Sequence, residues 1–199
     1  MESIQSIREQ IAAHLRRDVF SGKIGQGEAL REQHLAKRFG VSRGPIRDAL
    51  LQLSKEGLVV AERNRGARVG TQTSPESRRL IVGLRRQVET FALRQLWPSV
   101  DDGLLQAWEA DLVAFREACL AEDVGLAAEV DIRFHESIFR ALGDENLLEI
   151  WMPIVTHMML PYSRHKTLME AYEEHRRILE AIVNRDKTAA LKRLEANIQ

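Results

Sequence analysis

Cysteine is nearly absent, with a single Cys119 in 199 residues. A small secreted domain held by disulfides needs several pairs, so that class is excluded. Proline (5 residues) and aromatic side chains (6%) are sparse, and the 12 glycines follow no short period, which removes collagen-like and low-complexity chains. Net charge is missing as well: 29 basic side chains face 29 acidic ones. With 44% hydrophobic residues, that balance does not describe a disordered chain. No long apolar run is present. The most apolar stretch, residues 150–160, is short and interrupted by Pro153 and His157, and the opening MESIQSIREQIAAHLRRD is charged throughout, unlike a signal peptide. These absences predict a globular, cytoplasmic protein of one large domain or two small ones.

The zero net charge conceals two opposite parts. Residues 1–70 hold 13 Lys/Arg and 8 Asp/Glu, whereas residues 71–199 hold 16 and 21, giving +5 and −5. A basic segment beside an acidic one points the first toward a polyanion. The change of sign coincides with Thr71-Gln72-Thr73-Ser74-Pro75, a polar stretch ending in a helix breaker, so we read domains at 1–70 and 76–199 with a linker at 71–75.

Within the first part, Ile4, Ile7, Ile11 and Leu15 recur at helical spacing, and that helix should end near Ser21-Gly22. Residues 31–39 predict a short second helix ended by Gly40, and Ser42 an N-cap for a third that runs to about Glu56. Residues 58–60 and 67–69 predict a two-stranded hairpin turning at 64–66. Beyond Pro75 the pattern is helical throughout, with helices at about 76–97, 102–121, 123–142, 145–161, 167–184 and 186–198. The expected fold is therefore mainly α: a winged helix-turn-helix followed by an all-α bundle of about six helices.

A helix, a turn through Gly40-Val41 and a helix opening with Ser42-Arg43 is the order of a DNA-reading helix-turn-helix, whose second helix presents its first residues to the major groove. Arg43 and Arg47 are four apart and so project from one side, where a guanidinium can grip guanine or phosphate. Gly44 between them leaves room for close approach. Arg63-Asn64-Arg65 would make a basic wing tip suited to the minor groove or backbone. Any two such arginines taken alone also fit an ordinary solvated face. The run Gly40-Val41-Ser42-Arg43-Gly44 matches G-x-S-x-G, but the serine-hydrolase elbow requires a strand before the serine and the pattern here gives a helix.

In the acidic part, Asp131 and His135 are four apart on one helix, and His175 lies in a later helix within Tyr172-Glu173-Glu174-His175-Arg176. A carboxylate and imidazoles brought together inside a bundle suit a divalent metal, although such spacing also fits surface or packed core histidines.

The segment SIREQIAAHLRRDVFSGKIGQGEALREQHLAKRFGVSRGPIRDALLQLSKEGLVVAERNRGARVG resembles, nearly end to end, the winged helix-turn-helix of the GntR family of bacterial transcription regulators. The resemblance implies operator contacts at Ser42, Arg43, Gly44 and Arg47, and a wing tip at Asn64-Arg65-Gly66 with Arg63 beside it. The family usually has Arg two residues before the leucine of the second helix, here Leu35. This chain has Gln33 there, with Arg31 nearby as a substitute phosphate contact.

Residues 76–199 resemble the FCD ligand-binding domain of the FadR subfamily, through LRRQVE, DIRFHESIFRALGDENLL and EEHRRILEAIVNRDKTAALKRLEAN. The resemblance implies metal ligands at Asp131, His135 and His175, with a usual fourth histidine replaced by Asn197, and an effector-facing Arg85, which by itself also fits an ordinary surface ion-pair partner. Three outcomes stay open: a metal such as zinc, nickel or manganese completed by Asn197 or water; a site completed by His157 or His165; or no physiological metal. An asparagine oxygen shifts preference toward harder ions. The implied function is a ligand-responsive regulator, more often a repressor, dimeric on a palindromic operator and answering to a small organic or sugar acid. Alternatives are a metal-responsive regulator without an organic effector, or a metalloenzyme carrying a DNA-binding head.

Overall fold

The computed structural model describes residues 6–62, 66–160 and 167–199. Helix α1, Ile7–Phe20, starts at a capping box in which the Ser6 side chain accepts from the Glu9 amide and Glu9 reaches back to the Ser6 backbone. Helix α2 spans Glu32–Phe39 and α3 spans Arg43–Lys55, with Ser42 at the N-cap position as its sequence predicts, although its hydroxyl makes no cap hydrogen bond. Leu15 of α1, Leu35 of α2 and Ile46, Leu50 and Leu53 of α3 are buried together, forming the core of a three-helix head.

The wing differs from the expected ribbon. Strands β2, Val59–Glu62, and β3, Gly66–Val69, pair antiparallel, but a third strand, β1, Ala29–Leu30, joins the other edge of β3. The sheet order is β1-β3-β2. Two residues are too few to show a period of two in sequence, which is why β1 is invisible there. Gly66 opens β3 rather than closing the turn. Its φ is +96°, and an added Cβ would lie 2.2 Å from the Leu30 carbonyl oxygen, so only glycine lets β1 approach. Arg63, Asn64 and Arg65 lie outside the described residues.

The remaining chain forms, among the described residues, six α-helices: α4 (Pro75–Leu96), α5 (Asp102–Leu120), α6 (Val124–Leu142), α7 (Glu145–Met158), α8 (Leu168–Val183) and α9 (Lys187–Asn197). Side-chain oxygens of Ser74, Asp101, Asp123, Asp144, Thr167 and Asp186 cap their first turns. A short 3₁₀ turn, Trp97–Ser99, accommodates Pro98 after α4. Trp108, Phe115, Phe134, Phe139 and Trp151 are fully buried in the bundle. No described helix is long and apolar enough to cross a membrane.

Head and bundle meet along α1 and α6. An ion pair joins Arg17 to Glu129, and Gly125 lies so close beneath α1 that a Cβ would come within 2.7 Å of the Arg17 carbonyl oxygen. A second contact places Pro153 and His157 of α7 against Gly57, at the end of α3. The helix that touches the head, α6, also carries Asp131 and His135.

Candidate functional site

Four helices bring polar side chains to one buried point in the bundle: Arg85 and Glu89 from α4, Asp131 and His135 from α6, Trp151 from α7 and His175 from α8, while Asn197 of α9 is buried as well. Arg85, Glu89, Asp131, His135 and His175 have no exposure at all and Asn197 has 1%. Phe134 stands edge-on to both imidazoles and Phe115 to that of His175, so the surrounding wall is aromatic.

The ring orientations follow from their partners. His175 Nδ1 lies 2.8 Å from the Ala171 carbonyl oxygen, which can only accept, so Nδ1 carries the proton. His135 Nδ1 lies 2.6 Å from Glu89 Oε2. With both Nδ1 atoms donating outward, the rings turn their Nε2 atoms toward each other across 3.1 Å. The Asp131 carboxylate completes the group, Oδ1 standing 3.8 Å from His135 Nε2 and Oδ2 3.8 Å from His175 Nε2. The three side chains can offer ligand atoms that all lie within 4.8 Å of one another. Two imidazole nitrogens and a carboxylate converging in a buried pocket are a donor set that a divalent cation can join, so these residues fit a metal. The outward bonds from Nδ1 to a carbonyl and to a carboxylate are the supports that metal-binding imidazoles usually have.

The backbone beyond Asn197 is tied to α4. Arg86 Nε donates to the Ile198 carbonyl at 2.8 Å, and Arg78 donates to the Gln199 carbonyl at 3.2 Å. Asn197 Nδ2 donates to Glu174 Oε2 at 2.8 Å, which orients the amide, because a carboxylate cannot donate. Its buried Oδ1 has no hydrogen-bond partner among the described residues. His157 is elsewhere, against Gly57 at the head, and is not a member of the cluster. His165 lies outside the described residues.

Arg85 is buried rather than a surface ion-pair partner. Its Nε donates to Glu89 Oε1 at 2.5 Å, while Nη1 and Nη2 have no partner among the described residues. Glu89 Oε1 also accepts from Trp151 Nε1 at 2.7 Å. Burial alone would push the Glu89 carboxyl upward, but the charge of Arg85 and the hydrogen bonds from His135 and Arg85 more than offset this and hold it at about 2. Glu89 and Trp151 are members of the buried cluster that the sequence did not single out. The i,i+4 spacing from Arg85 signals Glu89, whereas nothing in sequence marks Trp151.

On the head, Ser42, Arg43, Gly44 and Arg47 are exposed at the start of α3, with Arg31 and Gln33 exposed at the start of α2. Between them stands Glu32, also missed. It accepts from Arg43 Nη2 at 2.7 Å and from Arg47 Nη2 at 3.2 Å. Hydrogen bonds from Arg47 and Arg43 lower the Glu32 pKa, so its carboxylate stays ionised. Two arginines of the reading surface are thus paired through one carboxylate.

A winged helix-turn-helix that exposes arginines at the start of its second helix, joined to a bundle with a buried polar centre, has the architecture of a DNA-binding regulator. Residues 7–69 match the model of bacterial regulatory proteins of the gntR family, and residues 81–199 match the FCD domain. The chain belongs to the GntR family of transcription regulators and carries its FCD domain, consistent with the FadR subfamily. It is 33% identical over 198 residues to the gluconate operon transcriptional repressor of Bacillus licheniformis, covering 94% of this chain and 80% of that one. It is 27% identical to the Uxu operon transcriptional regulator of Escherichia coli K12, covering 94% and 82%. Among solved structures, E. coli McbR/YncC superposes with a TM-score of 0.78 at 20% identity, over 98% of this chain and 95% of that one. The relatives are regulators, and this chain is a transcription regulator rather than an enzyme.

Proposed function

We propose that the protein is an operator-binding repressor whose affinity for DNA is set by a small organic or sugar acid bound beside a divalent metal in the bundle. The buried polar centre carries this reading. Two Nη groups of a fully buried arginine and one asparagine oxygen lack partners among the described residues, an arrangement whose cost a bound anion and cation would remove. Asp131, His135, His175 and Asn197 would hold the metal, and Arg85 would take a carboxylate of the effector. Two imidazoles with two oxygens suit manganese, zinc or nickel, and the Asn197 oxygen shifts preference toward the harder ion. Such an ion supplies a positive centre for anionic oxygens. The gluconate repressor, an operon regulator named for a sugar acid, supports the ligand class.

The working division is a DNA-reading domain at 1–70, a linker at 71–75 and a sensing domain at 76–199, with α4 beginning at Pro75. Ser42, Arg43, Gly44 and Arg47 would face the major groove, Arg31 and Gln33 the flanking contacts, and Arg63, Asn64, Arg65 and Gly66 the wing contact. One such head reads few bases, so two copies on a palindrome are needed. On α4, Leu80, Leu84 and Phe91 are 65%, 40% and 49% exposed on one stripe that includes Gly83, where an added Cβ would meet no atom of the described residues within 4 Å beyond its own stretch of helix. A second copy of α4 is the occupant we assign to that stripe.

Titration of labelled operator DNA tests the function. A change in affinity that needs both metal and an organic acid supports it. A response to metal alone favours a metal-responsive regulator, and consumption of the acid favours a metalloenzyme.

A further inference from the structure

We infer that Glu89 is the positioning residue of the cation site, fixing the proton of His135 on Nδ1 so that Nε2 faces Asp131 and His175 with its lone pair. This rests on the metal reading above and extends it to a residue that would act on the cation only through His135.

The hydrogen-bond inventory of Glu89 carries the argument. Oε2 receives one donor, His135 Nδ1 at 2.6 Å, and Oε1 receives two, Arg85 Nε at 2.5 Å and Trp151 Nε1 at 2.7 Å. Neither Arg85 nor the indole can act as an acceptor. Every group around this carboxylate must therefore donate, and both oxygens must accept. The imidazole is the one neighbour that can reverse its role, by moving its proton from Nδ1 to Nε2. A carboxylate at position 89 forbids that reversal.

Replacing the carboxylate by an amide inverts the logic. In Glu89→Gln one oxygen remains and the other becomes an NH2 group, which must face either the two fixed donors or His135. Facing Arg85 and Trp151 would set donors against donors twice, whereas facing His135 requires only that the ring shift its proton to Nε2. That proton then points toward Asp131 and His175, where the cation would bind. The substitution changes no volume, yet it blocks the ligand atom of a residue it does not replace.

The test reads the ring and the metal separately. In metal-free protein labelled with 15N-histidine, two-bond 15N–1H spectra report which nitrogen of His135 is protonated, assigned against His135→Ala. The wild type is expected to show Nδ1–H and Glu89→Gln to show Nε2–H. Titration with Mn²⁺ and with Zn²⁺ is then expected to give binding about 10–100-fold weaker in Glu89→Gln, the range usual for loss of such a support. Because this variant also leaves the buried Arg85 without its counter-charge, Trp151→Phe serves as comparison. It disturbs the same carboxylate while leaving the His135 bond, and is expected to keep metal affinity within about threefold, well short of that range. Proton placement on Nε2 in the wild type, or equal metal affinity in wild type and Glu89→Gln, overturns the inference, as does an equal loss in Trp151→Phe. A wild type that binds neither ion but shows Nδ1–H, with Glu89→Gln showing Nε2–H, overturns the metal reading and supports the positioning of His135.

Discussion

His135 and His175 face each other through their Nε2 atoms at 3.1 Å, each with its Nδ1 already engaged. A cation between them would be held in a fully buried site, so its binding would be linked to folding: at a free concentration of 100 times its Kd, an ion that binds only the native state adds about 2.7 kcal/mol. Addition of Mn²⁺ or Zn²⁺ to chelator-treated protein should raise the melting temperature, and His175→Ala should abolish the rise. An equal rise in that variant would place the ion elsewhere.

For DNA, the pairing of Arg43 and Arg47 through Glu32 predicts two different effects. Arg43→Ala should weaken operator binding by about 1–3 kcal/mol and relax base preference at the contacted position. Glu32→Gln removes a negative charge from the reading surface and releases both arginines. Affinity for unrelated DNA should rise while the ratio of operator to unrelated affinity falls. Fluorescence anisotropy on both DNAs at several salt concentrations measures this, and an unchanged ratio would count against a role for Glu32 in readout.

The proposed self-association through the α4 stripe can be tested by substitution. Phe91→Glu places a charge within it, and sedimentation should then show a monomer that still folds, because Phe91 is 49% exposed. Operator binding should weaken with it, since two heads would no longer be joined. A variant that remains dimeric would remove α4 from the interface.

Cys119 provides a check on packing. Burial, with a smaller contribution from the nearby Asp131 charge, pushes its thiol up to about 11, and its Sγ donates to the Leu168 carbonyl. At pH 8 only about one thiol in a thousand would be ionised, against roughly a quarter for a free cysteine. Native protein should react slowly with a thiol reagent at that pH and rapidly once denatured.

The sequence makes some of these features visible and hides others for physical reasons. Helix limits were readable because caps and breakers are local: Ser42, Gly40 and Asp144 stand where the ends fall. Asp131 and His135 share a face by the i,i+4 rule alone, and the approach of His175 follows the family pattern. The burial of Arg85 was not readable, because an arginine with a glutamate four residues on looks the same on a surface as in a core. Trp151 reaches Glu89 from a helix 62 positions away in sequence, a relationship that no local periodicity encodes. Strand β1 exists only because Gly66 admits it.

The central claim is that the buried cluster is a cation site built by Asp131, His135 and His175. Elemental analysis of untagged protein, purified without chelators and compared with His135→Ala, tests it most directly. The account predicts close to one divalent transition metal per wild-type chain and almost none in the variant. A metal-free wild type, or a variant that retains the same metal content, would contradict it.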